Sequence, residues 1–347
     1  MQRIERVESL LEKVVRYSVL YRDEHLDIDV IVNPCAGSLS SEARCDRIIE
    51  RLEQLTEGLA GVPRGRGEFD LRFHRTHYVG HAREISAGLS GSAIRGRHLV
   101  VSVGGDGTHG EVLSGYRGQR HTRYLRLPFG TGNDGADSRD LGRAIAILLG
   151  NATEVDDGMV EVQPAGMSRI LGFNIASIGL DAYVAYLTNR LKGKFGGDLY
   201  KLIADVMTLL YERIVGARRM SVTLTGSDGS SSTHEGRFLI CAVGASGHRE
   251  YGGGKQVLPG DENVCLIDRC GLLGKIRLKS LFYRGDHTAE SNVSMGHART
   301  LEVRYDGRIP LQVDGETVWL REENFPLRFT VGEPSIPVLK PRRHPAV

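Results

Sequence analysis

The amino-acid sequence predicts an α/β domain followed by an all-β domain. Strand-like and helix-like segments alternate with short links through roughly the first 150 residues, the pattern of a parallel sheet covered on both faces. Beyond residue 155 short strand-like segments follow one another, separated by turn dipeptides, which suits a mainly antiparallel domain. At 347 residues the chain is also longer than one small core needs. The expected divisions are an N-terminal helix over 1–27, the α/β domain over 28–154, the β domain over 155–332 and an irregular, proline-rich tail over 333–347.

In order, MQRIERVESLLEKVVRY sets Ile4, Val7, Leu11 and Val14 on one helical face. That face packs on the body of the protein or on a second copy of the chain, so a homodimer is one use for it. Residues 25–33 read as a strand running into Asn33-Pro34, and 40–55 as a helix through Ile48, Ile49, Leu52 and Leu55. Residues 68–76 alternate Phe69, Leu71 and Phe73 as a strand does, and 80–89 form a short helix. A β-branched strand over 98–103 leads into a glycine turn and a helix through Val112 to Tyr116. A short strand at 125–127 and a helix over 141–149 complete the domain. In the second half, 220–225, 238–243, 264–268, 301–305, 310–313 and 327–331 are strand-like, and a helix is expected over 199–214.

Composition narrows the classes of function. Forty per cent of residues are hydrophobic and 25% charged, as in ordinary globular proteins. A net charge of +2 gives no electrostatic footprint for nucleic acid. The five cysteines, Cys35, Cys45, Cys241, Cys265 and Cys270, show no paired spacing. That argues against a disulfide framework or structural zinc and for a reducing, cytoplasmic setting. No apolar run approaches the roughly 20 residues of a membrane span, and the charged N-terminus does not read as a secretory signal.

The strongest local signal is VVSVGGDGTHGEVL over 100–113. Gly104-Gly105-Asp106-Gly107-Thr108 turns the chain between a strand and a helix, where bare backbone and a helix N-terminus favour a phosphate. Asp106 is at odds with an anion site unless Mg2+ stands between it and the phosphates; the alternative is a plain turn. A second loop, LRLPFGTGNDGAD over 125–137, repeats the logic with Gly130-Thr131-Gly132-Asn133-Asp134. Strand ends of a parallel sheet share one edge, so both loops can face one nucleotide. The bland alternative is that Asp134 or Asp137 caps the next helix. Asn33-Pro34 and Thr76 fall at strand ends on the same edge. His74, His77 and His81 lack a metal spacing and are expected at the surface or in caps.

In the second half, Gln312-Val313-Asp314-Gly315-Glu316 places two carboxylates two residues apart. A hydroxyl acceptor of a phosphoryl group needs a carboxylate near its proton, and Asp314 suits that task, with Glu316 orienting it or helping to hold metal. Asp-Gly is equally a turn. Arg190, Lys192, Lys194 and Phe195 form a short basic stretch that suits anionic headgroups or a solvated loop.

Together these segments resemble the diacylglycerol kinase catalytic-domain family, which includes bacterial lipid kinases, sphingosine kinases and ceramide kinases. The resemblance rests on GGDGTHGE (104–111) and LPFGTGND (127–134), joined by Asn33-Pro34 with Gly37 and by Thr76 with Gly80-His81-Ala82. NIASIGLDA (174–182), Gly252-Gly253-Gly254 with Pro259, and Val313-Asp314-Gly315-Glu316 continue it in the family's order. The resemblance implies a Rossmann-like nucleotide-binding domain, a C-terminal β-sandwich and an active site in the cleft between them. It implies ATP held by Asn33, Thr76, Gly104, Gly105, Asp106, Gly107, Thr108, Glu111, Gly130, Thr131, Gly132 and Asn133. Mg2+ would be placed by Asp106 and Asp134, the lipid hydroxyl's proton taken by Asp314 with Asp106 and Glu316 completing the catalytic set, and the acceptor's head group contacted by Asp181. The implied partners are ATP and a lipid met at a membrane surface, diacylglycerol or a sphingoid-like base, with the protein peripheral on the inner face.

One segment departs from the family. Some bacterial members hold an accessory metal at a proline, a spacer and an Asp-Gly pair, whereas Pro259-Gly260-Asp261-Glu262-Asn263 is shorter and carries Asn263 where glycine is expected. Two rival functions share part of the pattern. NAD kinases carry the Gly-Gly-Asp-Gly-Thr turn, but their second motif has different surroundings. A non-catalytic nucleotide-binding module would have no need of Asp106, Asp134, Asp314 and Glu316 together.

Overall fold

The computed structural model describes residues 2–61, 65, 69–89, 94, 96–119, 121–191, 210–216 and 218–342. Most of the helix expected over 199–214, and Lys192, Lys194 and Phe195, lie outside these residues. The chain divides into two units, Met1–Asp157 with Ser335–Val347, and Gly158–Pro334.

The first unit follows the alternation of its sequence. Its elements are α1 (Gln2–Val15), β1 (Leu26–Val32), α2 (Glu42–Glu57), β2 (Phe69–Arg75), α3 (His81–Gly88), β3 (Arg97–Gly104), α4 (Asp106–Ser114), β4 (Thr122–Pro128), α5 (Leu141–Leu149) and β5 (Ala152–Asp157). Strand order is β2-β1-β3-β4, then the C-terminal strand Ile336–Pro341, then β5. The first four strands pair in parallel, with Leu26 opposite Phe69 and Arg97, and His98 opposite Thr122. Ile28, Val30, Val101, Val103 and Leu125 turn to one face and form a single core with residues of α1, α2 and α5. The other face is met by α4, whose buried His109 hydrogen-bonds Ser102 of β3.

One open expectation is decided here and another changes. Ile4, Val7, Leu11 and Val14 are buried within this unit's own core, so the apolar face of α1 needs no second copy of the chain. The tail expected to be irregular contributes Ile336–Pro341, antiparallel to β5 through six residue pairs and touching β4 only at Val338–Tyr124. Pro337 and Pro341 hide this strand in the sequence because proline lacks a ladder donor. The sparse pairing with β4 is the arrangement that tolerates them.

The sheet also buries charge. Asp29 of β1 is fully buried and accepts from Arg72 at 2.8 and 2.9 Å, with His74 at 2.6 Å and His98 at 2.9 Å. Burial alone would raise its pKa, but the hydrogen bonds from Arg72, His74 and His98 hold it well below the usual carboxylate range. His74, expected at the surface or in a cap, thus serves this network. His81 does not cap α3, whose N-cap is Gly80; its Nδ1 accepts from the His77 amide at 3.2 Å and closes the turn before the helix.

The second unit is a β-sandwich. It contains β6 (Val160–Gln163), β7 (Ile170–Gly172), β8 (Ile175–Gly179), α6 (Leu180–Leu191), β9 (Met220–Thr225), β10 (Ser231–Gly236), β11 (Phe238–Gly244), β12 (Arg249–Tyr251), β13 (Lys255–Leu258), β14 (Val264–Asp268), β15 (Val293–Gly296), β16 (Thr300–Tyr305), β17 (Ile309–Val313), β18 (Glu316–Leu320) and β19 (Leu327–Val331). One sheet runs β10-β9-β16-β19-β6-β7 and the other β15-β14-β11-β8-β17-β18, with β12-β13 a separate ribbon. Val162, Val222, Val303 and Phe329 of the first sheet share a core with Ile178, Val243, Leu266 and Leu311 of the second. The second sheet is apolar on its outer face too, where Ile175, Ala242 and Ile267 pack with α6 and the helices Tyr211–Val215 and Leu272–Phe282. The helix Leu272–Phe282 has no sequence expectation, since its leucines and cations fall on every side.

Candidate active site

Two glycine loops leave the adjacent strands β3 and β4. At the first, Gly105 precedes α4 in an extended conformation and offers no side-chain cap. The opening amides of α4 are therefore not claimed by a capping side chain, and an anion suits them. At the second, the Gly130 amide donates to Asn133 Oδ1 at 2.7 Å, and Asn133 adopts the left-handed conformation (φ 58°) that asparagine tolerates. The loops meet. A Cβ on Gly130 would stand 2.5 Å from the Gly105 Cα, and one on Gly132 would stand 2.9 Å from Asp106 Oδ2. Glycine is demanded by proximity of backbone to backbone, as well as by the ligand argued from sequence.

Asn33 leaves the end of β1 beside the first loop. Its Nδ2 donates to Thr108 Oγ1 at 2.9 Å, while its Oδ1 accepts from the Cys35 amide at 2.9 Å. Thr108 is nearly buried, so Asn33 fixes its hydroxyl. Thr76 continues β2 by donating its amide to the Val32 carbonyl at 2.9 Å. Glu111, expected among the nucleotide contacts, instead accepts from the Gly80 amide at 2.8 Å and the Ala82 amide at 3.3 Å. Its carboxylate ties α4 to the start of α3. The donors of an anion site are amides and cations, so Glu111 acts here as a brace.

Asp106 Oδ1 accepts from the Gly135 amide at 2.7 Å. Asp134 lies 3.6 Å from Arg139 and close to the position a Cβ on Gly132 would occupy, where the Asp106 carboxylate also lies. Two carboxylates beside a bare glycine form an oxygen donor set that fits a hard divalent cation. Below the loops, His109 is wholly buried. Burial and then the nearby Arg126 push its pKa down to about 3, so it is neutral at physiological pH.

Asp140, not Asp134 or Asp137, caps α5, and Asp137 instead anchors the second loop. Asp137 at its end accepts from Arg126 of β4 at 2.6 and 3.1 Å, and Arg126 also reaches Asp157 at 3.0 Å. Lys340 of the C-terminal strand stands 3.0 Å from Asp137. The signal in the sequence was Arg126 itself, a charge between Leu125 and Leu127 on an interior strand.

In the second unit, Asp314 and Gly315 form the two-residue turn between β17 and β18, both with positive φ (49° and 89°). Asp-Gly at the tip of a hairpin suits such a turn. The Asp314 carboxylate accepts from the amides of Phe173 at 2.6 Å, Asn174 at 2.9 Å and Ile175 at 3.1 Å. These three donors fix its plane at the start of β8. Glu316 is exposed opposite Val313.

Asp181 opens α6. Its Oδ2 accepts a short hydrogen bond from Ser177 Oγ, and its Oδ1 is buried with no hydrogen-bond partner among the described residues. Burial raises its pKa to about 6 against the opposing bond from Ser177. Gln312, fully buried, joins it to the turn. Its Nε2 donates to Ser177 Oγ at 2.8 Å and its Oε1 accepts from the Gly315 amide at 2.9 Å. Sequence reasoning passed over Gln312 and Ser177, although a glutamine between Leu311 and Val313 on a buried strand must find partners. Asn263, in the segment that departs from the family, accepts from the Ala298 amide and donates to the Ala298 carbonyl, both at 2.9 Å.

The family model of the diacylglycerol kinase catalytic domain matches residues 27–160. The diacylglycerol kinase of Bacillus subtilis (strain 168) is 24% identical over 298 residues, spanning 83% of this chain and 88% of that protein. The diacylglycerol kinase of Staphylococcus saprophyticus is 24% identical over 300 residues with the same shares. A solved structure, a diacylglycerol kinase from Bacillus anthracis str. Sterne, superposes with a TM-score of 0.54 at 16% identity, covering 90% of this chain and 96% of that one. That likeness concerns the fold.

Proposed function

Residues 27–160 belong to the diacylglycerol kinase catalytic-domain family, and from this premise we propose that the protein is a lipid kinase that transfers the γ-phosphoryl group of ATP to a lipid hydroxyl. The observation that carries the proposal is the contact of the two glycine loops, which sets the uncapped start of α4 against the second loop at adjacent strand ends. Phosphates are the ligands such amides favour.

In this reading the phosphates of ATP rest on the uncapped opening amides of α4, with the second loop beside them. Asn33 holds the Thr108 hydroxyl in the orientation that faces them. Asp106 and Asp134 would hold Mg2+, whose chemistry there is to neutralise charge on the transferring phosphates. Neutral His109 adds no charge beneath the cradle. Asp314 would accept the proton of the acceptor hydroxyl, its carboxylate held in one plane by three amides. Asp181 would contact the acceptor's polar head. Catalysis would then come from positioning and electrostatics.

The acceptor in this reading is a lipid with a hydroxyl at its head, diacylglycerol or a sphingoid-like base, met by a peripheral enzyme on the cytoplasmic face of a membrane. No helix among the described residues is long and apolar enough to cross one. The test is transfer of labelled γ-phosphate from ATP into a panel of lipids in mixed micelles with Mg2+, beside a well containing NAD. Label in a lipid is expected and identifies the acceptor. Label in NAD, or ATP binding with no label anywhere, overturns the proposal.

A further inference from the structure

The helix Leu272–Phe282 buries Leu278 and Phe282 but leaves other large apolar side chains exposed. Lys275 is buried and pairs with Glu212 at 3.4 Å, while Leu273 is 83% exposed, Ile276 54% and Leu272 52%. A surface helix ordinarily turns its leucines in and its lysines out. Glu212, on the helix Tyr211–Val215, also pairs with Arg269 at 2.8 Å, so the two helices lie side by side. Leu210 and Ile214 are exposed on that second helix, and Tyr283 just beyond the first. Six of the ten exposed large apolar side chains among the described residues therefore gather on these two helices. A patch so concentrated marks a surface that meets something apolar.

The charge around it selects the occupant. From residue 269 to 284 the chain carries Arg269, Lys275, Arg277, Lys279 and Arg284 and no acidic residue. Arg277, Lys279 and Arg284 are exposed. Leucines interleaved with cations on one exposed helix match an interface with an apolar interior and anionic headgroups. Arg277 pairs with Glu290 at 2.7 Å and Arg284 with Asp286 at 2.8 Å, but exposed pairs are worth little and yield to headgroup anions, and the stretch through Glu290 keeps an excess of cations.

We propose that the helix Leu272–Phe282, with Leu210 and Ile214 beside it, is the surface by which this protein docks on an anionic lipid bilayer. Leu272, Leu273 and Ile276 enter the acyl boundary, and Arg277, Lys279 and Arg284 remain among the headgroups. This rests on the lipid-kinase reading for its purpose but not for its observation. It assigns the approach to the membrane to an element outside every segment that resembles the family.

The test is sedimentation of the full chain with vesicles of phosphatidylcholine containing one third phosphatidylglycerol, and with vesicles of phosphatidylcholine alone. The parent is expected to bind the anionic vesicles, and to bind them more weakly as salt rises. Leu272→Ser/Leu273→Ser/Ile276→Ser should lower that binding at least tenfold. Arg277→Glu/Lys279→Glu, which leaves every apolar contact in place, should lower it about tenfold. Neither variant should change phosphoryl transfer to a dispersed short-chain acceptor by more than about twofold. Equal binding of parent and variants overturns the proposal. So does a parent that dimerises through this helix and a triple variant that is monomeric, because a second copy is then the occupant. Vesicle binding that follows these residues while no lipid is phosphorylated would leave the surface standing and remove the kinase reading. Phosphorylation in micelles with vesicle binding indifferent to the variants would do the reverse.

Discussion

The Asp106 carboxylate accepts a hydrogen bond from the Gly135 amide at 2.7 Å, and that bond makes two loops into one site. The loops begin 26 residues apart, at Gly104 and Gly130. Their strands, β3 and β4, are neighbours in register from His98–Thr122 to Gly104–Pro128. Their glycines then touch backbone to backbone. A single acidic side chain thus joins the loops.

Gly130→Ala should separate the loops, because its Cβ would stand 2.5 Å from the Gly105 Cα and backbone on that side cannot swing away. We expect ATP affinity, measured by calorimetry, to fall at least tenfold while the circular dichroism of the chain is retained. Gly88→Ala is the control. It lies at the end of α3 with nothing within 4 Å of a Cβ, and alanine favours a helix over glycine by about 1 kcal/mol. Unchanged ATP affinity in Gly130→Ala would mean that the cradle is not where nucleotide binds.

Asp314→Asn and Asp314→Ala separate chemistry from architecture. Asparagine tolerates the positive φ at this turn and keeps one oxygen for the amides of Phe173, Asn174 and Ile175. Its rate of phosphoryl transfer should fall by about 10²–10⁴, the range for a lost acid–base group, with ATP affinity unchanged. Alanine leaves all three amides without their acceptor, at about 1–3 kcal/mol for each that stays buried. Chemical denaturation should therefore show a stability loss in Asp314→Ala that Asp314→Asn largely avoids. Full activity in Asp314→Asn would reduce Asp314 to a turn residue.

Burial raises the Asp181 pKa to about 6 from its ordinary 3.8. The native state thus holds a proton that the unfolded chain releases between about pH 4 and pH 6. Protonated Asp181 is no burden below that window. As pH rises through it, ionised Asp181 opposes folding by up to about 3 kcal/mol, since one pKa unit is about 1.4 kcal/mol. Asp181→Asn should therefore gain stability relative to the parent as pH rises from about 4 to about 6 and keep that gain above it, read from urea midpoints across pH. A constant difference at every pH would show that Asp181 does not titrate there.

Arg126 holds two buried carboxylates, Asp137 and Asp157. Its removal leaves both with the half-exposed Lys340 as their remaining cation, and breaking a buried pair costs about 3–5 kcal/mol. Arg126→Leu should lower the thermal midpoint by well over the few degrees typical of surface changes and weaken ATP binding through the loop that Asp137 anchors. Lys340→Leu should cost less, since Arg126 still satisfies both carboxylates. Equal effects from the two variants would make Lys340 an equal partner in the cluster.

The glycine loops, the parallel order of the first sheet and the antiparallel second half were legible in the sequence because each is encoded locally. Alternation sets strands, a 3.6-residue period sets helices, and glycine beside a strand end announces close approach. Asn33 and Thr76 were legible for the same reason, as residues at strand ends. Position along the chain does not tell which distant groups will meet. Tertiary structure alone drew Ile336–Pro341 into the first sheet between β4 and β5, against its two prolines. It turned Glu111 away from the cradle to brace α3, and spent the apolar face of α1 inside its own unit. It also linked Asp181, Ser177, Gln312 and the Asp314 turn in one chain of hydrogen bonds, of which Gln312–Ser177 spans 135 residues. The physical reason is one of range. Local preferences fix what each segment becomes, whereas the partners of buried polar groups are chosen when segments far apart in sequence pack and every donor must find an acceptor.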